Sequence, residues 1–270
     1  MDKVSVIIPT YNRSHTLKRA VESVLGQTFD NFELLIVDDG SEDDTKSVVD
    51  SIQDKRIRYI KLKENRGAAG ARNEGVRRSE CSLIAFQDSD DVWRPEKLER
   101  QMIYWEQHPE CALVYCDYLA HAVLDEETVD EWVVSARGKE SEKGIFLQLL
   151  LENSIGTPTM LMKKECFLEV GGFDDTLRSL EDWDLAVRIA EKYSIGYINE
   201  ILLDVYPGKD GISMGLGAYF DGRSRMIARY REQMTEAGIF DRAVNDLFQM
   251  AQKRGVLETV KRMLLLYMGQ

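Results

Sequence analysis

Three carboxylate-bearing stretches of this sequence have spacings that could do chemistry. The first is LIAFQDSDDVWRPEKL, residues 83–98, where an apolar run from Leu83 to Phe86 ends in Asp88, Asp90 and Asp91. Asp88 and Asp90 are two apart in a segment with no helical pattern, so a tight turn can aim both at one point. Such oxygens suit a hard divalent cation, which keeps waters and takes further ligands from substrate phosphates. An acidic turn capping the helix after Pro95 would use the same residues. A calcium loop is excluded, because Trp93 stands where that loop needs glycine, Pro95 interrupts, and a strand precedes. The second stretch, VDDGS, places Asp38 and Asp39 after another apolar run, as turn and cap residues or as ligand contacts. The third is EDWD, residues 181–184. On a helix, Asp184 would share a face with Arg188, Glu191 and Lys192, a solvated stripe of ion pairs. Asp182 would fall with Leu185, Ala186 and Ile189 on the apolar side. An acid there is either a helix cap or a general base facing a crevice. One further motif, ENRGAAGARNEG, sets Arg66, Gly67, Gly70 and Arg72 at a helix start. Its amides and guanidinium suit a phosphate or carboxylate, unless Arg72 merely pairs with surface acids.

Short strands must carry these residues. VSVII (4–8), FELLIV (32–37), IRYIKL (57–62) and SLIAF (82–86) are β-branched or continuously apolar, and helical patterns separate them. Ser14 can cap a helix whose Leu17, Ala20, Val21, Val24 and Leu25 form one stripe. Strand–helix alternation with continuous apolar strands predicts an α/β fold, a mostly parallel sheet flanked by helices. In such sheets ligands bind beyond the carboxyl ends of the strands. PTYN, DDGS and DSDD all follow strands, so the three should converge on one crevice. Beyond Pro95 the pattern predicts a helix to about residue 107, a strand at CALVYC, and an acidic, irregular insertion over 117–143. A helix at GIFLQLLLEN, a strand at TPTMLMK, and helices at KECFLEVGGF and SLEDWDLAVRIAEKY come next. One or two strands in IGYINEILLDVY and helices from about 218 to 268 complete the chain. The expected division is a catalytic unit over 1–215 and a helical C-terminal extension over 216–270.

Bulk properties narrow the function. A net charge of −12 argues against nucleic acid as a partner, and it means that a phosphate ligand would need a local cation. The four cysteines lack CxxC spacing and the three histidines lack metal-ligand spacing, so a zinc site is not expected and buried free thiols are. The apolar run near the N-terminus is too short for a signal peptide, and no stretch approaches a membrane span of about 20 residues. A cytoplasmic protein is expected. The strand-one loop PTYNRS is not the GxGxxG of a dinucleotide fold, nor the glycine-rich basic loop of a nucleotidyltransferase.

In order, VSVIIPTYNR, SVLGQTFDNFELLIVDDGSEDDT, NRGAAGARNEG, FQDSDDVWRPEKL, GGFDD and EDWDLAVR resemble the motifs of family 2 glycosyltransferases across about residues 3–190. The resemblance implies the GT-A nucleotide-sugar fold, a Rossmann-like sheet. It also implies inverting transfer of a sugar from a nucleoside diphosphate donor, UDP first, to a hydroxyl on a glycan or lipid-linked acceptor, as in bacterial surface polysaccharide synthesis. It assigns Pro9, Thr10, Tyr11, Asp39, Arg72, Asp88 and Ser89 to the nucleotide sugar. Asp88 and Asp90 match the DxD motif, with Asp90 the ligand of Mg2+ or Mn2+ and Asp88 contacting the ribose and the metal's waters. Asp182 matches the general base. The chain departs from the pattern after its last core strand, where members often carry a histidine. DVYPGKDGIS has none, and Lys209 or Asp210 is the expected substitute. The last helix, VKRMLLLYMGQ, joins Lys261 and Arg262 to an apolar end, which suggests peripheral contact with the inner face of a membrane.

Overall fold

A computed structural model describes residues 2–123, 129–135, 144–206 and 215–269. Its first strand shows how the sheet is covered on both sides. Along β1 (Val4–Thr10), Val4, Val6 and Ile8 enter one core while Ile7 enters another. β2 (Phe32–Asp38) and β4 (Leu83–Phe86) divide their side chains the same way, because successive strand residues face opposite ways. With β3 (Ile57–Lys61), these strands lie parallel in the order β3-β2-β1-β4. The sheet continues through β8 (Leu161–Lys163), β6 (Cys111–Val123), β9 (Ser194–Val205) and β5 (Val92–Trp93), while β7 (Val129–Val134) pairs with β6. β8 is antiparallel to both β4 and β6, and β9 is parallel to β6, so β6 and β9 run with the first four strands.

One face is covered by α1 (Leu17–Leu25), α2 (Thr45–Asp50) and α4 (Lys97–Gln107), through residues such as Leu17, Val21, Val49, Leu98 and Met102. The other is covered by α3 (Gly67–Arg78), α5 (Ile145–Leu149), α6 (Lys164–Glu169) and α7 (Glu181–Lys192). The helices α8 (Leu216–Arg229), α9 (Arg231–Glu236), α10 (Phe240–Lys253) and α11 (Leu257–Met268) extend this second core through Phe220, Met234, Leu247 and Leu264. A Cβ on Gly75 would meet Ile7 at 2.5 Å, so α3 rides directly on β1. That close approach holds Arg72 over the sheet.

Three local expectations change, and one left open is decided. The 117–143 insertion is partly sheet, since β6 runs on to Val123 and pairs with β7. Residues 130–133 of β7 are all exposed, so no alternation of apolar and polar residues marks that strand. The expected strand at TPTMLMK begins instead as a 3-10 turn, Thr157–Thr159, with Pro158 lacking the N–H that a ladder needs. IGYINEILLDVY is a single strand, β9, with irregular register against β6. Ser14 does not cap α1. Its N–H donates to Asp43, and Thr16 takes the cap position without a side-chain bond.

Candidate active site

The carboxyl ends of β1, β2 and β4 open into a cavity of about 860 Å3. Pro9, Thr10, Tyr11, Asp39, Arg72, Asp88, Ser89, Asp90 and Asp182 all line it. The loop after β1 is fixed by Asn12, which adopts a left-handed conformation at φ 51°. Its N–H donates to Ser41 Oγ at 2.9 Å and its Oδ1 accepts from Glu42 N–H at 2.9 Å. Asp39 lies 3% exposed beside it and accepts the Arg66 N–H at 2.8 Å, which ties the start of α3 to the loop after β2. Burial raises the Asp39 carboxyl above its ordinary value. Asp38 takes the structural role, accepting Ser41 N–H at 2.7 Å and the Tyr59 hydroxyl.

Arg72 joins two of the motifs. Only 5% exposed, it donates to Asp88 Oδ1 at 2.6 Å and to Glu181 Oε1 at 3.0 Å. Burial alone would weaken its charge, but Asp88 and Glu181 more than offset that and hold it protonated. Its Nε is buried without a partner among the described residues. The sequence alternative of a surface-paired Arg72 is thereby corrected, because its partners are acids of the cavity.

The turn after β4 concentrates negative charge. Burial, then the neighbouring Asp88, pushes Asp90 up, and burial with Asp88 and Asp90 pushes Asp91 well up. Carboxylates that resist ionising together fit a cation. Among the described residues no three His, Cys, Asp or Glu converge on one point, so a cation at Asp88 and Asp90 would complete its shell with phosphate oxygens and water. Lys209 and Asp210, the expected substitutes for the missing histidine, lie outside the described residues.

Asp182 stands at the start of α7, after Leu180, which is held in the left-handed region at φ 67°. Its Oδ1 accepts the Trp183 N–H at 2.6 Å, and its Oδ2 accepts the Thr157 N–H at 3.3 Å. Burial first, then the Glu181 charge, pushes its carboxyl up to about 7, against the lowering by Trp183 N–H and Arg72. From the sequence, partial burial raises this carboxyl and the helix N-terminus lowers it, leaving it ionised near neutral pH; in the structure burial outweighs the dipole. α8 backs this corner. A Cβ on Gly222 would meet the Ser179 carbonyl at 3.0 Å, and Tyr219 reaches the cavity one turn earlier.

The expected solvated stripe on α7 holds at Glu191 and Lys192, which are exposed, but fails at its first turn. Asp184 is 1% exposed and accepts from Arg188 Nε at 2.8 Å and from Arg229 Nη1 at 2.5 Å. Arg188 in turn donates to the Val170 carbonyl at 2.6 Å. A helical wheel for α7 alone cannot show that α8 covers the polar side. The sequence assigns no role to Arg13, Asp91, Tyr118, Ser154, Thr157, Tyr206 and Tyr219, all of which line the cavity. Arg13 and Asp91 were visible as charges inside recognised motifs. The others belong to no recognised motif, and only tertiary folding gathers them.

The sequence profile of Glycosyl transferase family 2 matches residues 5–164. An uncharacterized glycosyltransferase of Rickettsia felis is 37% identical over 81% of this chain, which spans only 34% of that protein's length. The Escherichia coli protein WfgD, named a UDP-Glc:alpha-D-GlcNAc-diphosphoundecaprenol beta-1,3-glucosyltransferase, is 32% identical over 73% of each chain. Among solved structures, Staphylococcus aureus TarS residues 1–349 in complex with UDP-GlcNAc superposes with a TM-score of 0.68 over 98% of this chain and 89% of that one. At 17% identity that likeness speaks for the fold alone, which is the GT-A type. With its profile match across more than half its length, this chain belongs to glycosyl transferase family 2.

Proposed function

We propose that this chain is an inverting, metal-dependent glycosyltransferase that moves a sugar from a UDP-sugar to a hydroxyl of a lipid-linked acceptor in bacterial surface polysaccharide synthesis. The observation that carries this is one cavity lined both by the Asp88–Asp90 turn and by Asp182. Asp182 accepts the acceptor's proton as that oxygen attacks C1 of the donor sugar from the face opposite the leaving diphosphate. One displacement inverts C1 and needs no covalent intermediate. Arg72 holds Asp88 in place, and Asp39 with Thr10 and Tyr11 forms the nucleoside end. Mg2+ or Mn2+ held by Asp90 and Asp88 would neutralise charge developing on the diphosphate. The UDP-linked names of WfgD and the TarS complex support the choice of nucleotide, and WfgD's name supports the lipid-linked acceptor.

No helix among the described residues is long and apolar enough to cross a membrane. Peripheral contact at the inner face would use α11, where Leu265 is 69% and Leu266 61% exposed beside Lys261 and Arg262. The test of the enzyme reading is a panel of nucleotide sugars with Mn2+, followed by thermal stability and donor hydrolysis. A donor held at a hundred times its Kd should stabilise the fold by about 2.7 kcal/mol. A panel in which no nucleotide sugar stabilises or is cleaved would sink the reading.

A further inference from the structure

We propose that Arg19 and Tyr206 form a clasp that positions Asp90, an inference that rests on the reading of the Asp88–Asp91 turn as the donor's metal and diphosphate site. The three carboxylates of that turn are secured differently. Asp88 is fixed by Arg72, and Asp91 accepts the Tyr206 N–H at 3.0 Å. The Asp90 carboxylate accepts no hydrogen bond from another side chain among the described residues, so the backbone alone aims it. That backbone is gripped at its carbonyl, where Arg19 Nη2 donates to Asp90 O at 2.6 Å. The two grips are one assembly, because the Arg19 guanidinium packs over the Tyr206 ring at 4.2 Å. The Tyr206 ring stacks in turn on His121, with centroids 4.5 Å apart and planes within 4°. Both His121 ring nitrogens face carboxylates, Asp204 at 3.0 Å and Glu131 at 2.9 Å. Arg94, just past β5, holds Asp204 at 3.1 Å. The clasp thus carries the rigidity of β9 and β6 into the one acid of the turn whose carboxylate is held by neither Arg72 nor the Tyr206 N–H. Arg19 is outside the cavity lining, whereas Tyr206 is part of it, and the two roles can be separated on that difference.

The test is a Mn2+ titration of UDP binding by calorimetry on the wild type, Arg19→Gln, Tyr206→Leu, the double variant, and Tyr206→Phe. Both single variants should raise the Mn2+ concentration at half-saturation about tenfold while melting within a few degrees of wild type. The double variant should be no worse than the weaker single, since residues acting as one unit are not additive. Tyr206→Phe keeps the ring and should restore the wild-type Mn2+ requirement. If only Tyr206→Leu has an effect, or if the two effects add, Tyr206 touches the nucleotide directly and the clasp is wrong. If neither variant changes the Mn2+ requirement, the clasp is equally refuted. A wild type that binds no UDP at any Mn2+ concentration fails on different grounds, since it overturns the donor reading itself.

Discussion

Replacing Asp184 with Asn should unfold this protein more readily without touching its chemistry. Asp184 is 1% exposed and is shared by Arg188 and Arg229, which tie α7 to α8 and to the end of α6. Breaking a buried pair by removing one partner costs about 3–5 kcal/mol. Two features reduce that figure. The Arg229 side chain is 46% exposed and can rehydrate, and the asparagine carbonyl still accepts one hydrogen bond. A loss of about 2–3 kcal/mol remains, and at about 2–4 °C per kcal/mol for a chain of this size the melting temperature should fall by about 4–12 °C. Denaturant unfolding and differential scanning fluorimetry measure it, with the donor's KM and kcat taken well below the new melting point. The companion variant Asp182→Asn should do the reverse, with turnover down by about 10²–10⁴ and metal-dependent UDP binding kept. A stability change under about 0.5 kcal/mol for Asp184→Asn, or a collapse of its turnover at full stability, would refute the division of labour between the two aspartates.

The remaining expectations concern the same elements. Asp182→Asn should also stabilise the fold near neutral pH. The native carboxyl, pushed up to about 7, binds more protons than the unfolded one between about pH 4 and 7, so wild-type stability falls as pH rises through that window; a stability–pH curve that the variant leaves unchanged contradicts this. As a base, Asp182 should make turnover rise with pH through about 7, and a log kcat profile flat from pH 6 to 8 would remove it from that role. Asp90→Asn should abolish the Mn2+-dependent part of UDP binding, checked by calorimetry with and without EDTA; wild-type UDP affinity in EDTA would end the metal hypothesis. Leu265→Asp with Leu266→Asp should abolish flotation with anionic liposomes and leave donor hydrolysis unchanged, and equal flotation of variant and wild type would dismiss α11 as a membrane contact.

The first half of the fold was readable because β1, β2 and β4 are buried on both faces. Continuous runs such as FELLIV allow little else, and their ends carry motif residues to a common edge. Asp182 was found for a partly mistaken reason. Periodicity put it on an apolar side and Asp184 on a wet one, but α7 buries Trp183 through Val187 without a break. What covers a helix comes from another part of the chain, and α8 begins more than thirty residues beyond Asp184. Thr157 and Tyr219 reach the cavity from a turn and a helix with no motif of their own, so no local pattern could announce them. Tyr206 was overlooked because its importance lies in what stacks on it.

The way α8 leans on the corner at Ser179 and Leu180 bears on how such enzymes can diversify. A tail that merely covered the sheet could be exchanged between relatives as a cassette. Here the same helix lends Tyr219 to the cavity, packs Gly222 against the Ser179 carbonyl, and gives Arg229 to the ion pairs of α7. A graft at residue 216 would therefore alter the cavity wall, the setting of Asp182 and thermal stability in one step. New ligand preferences of this cavity should arise by small changes along α8 that keep glycine at 222, rather than by wholesale replacement of everything after β9.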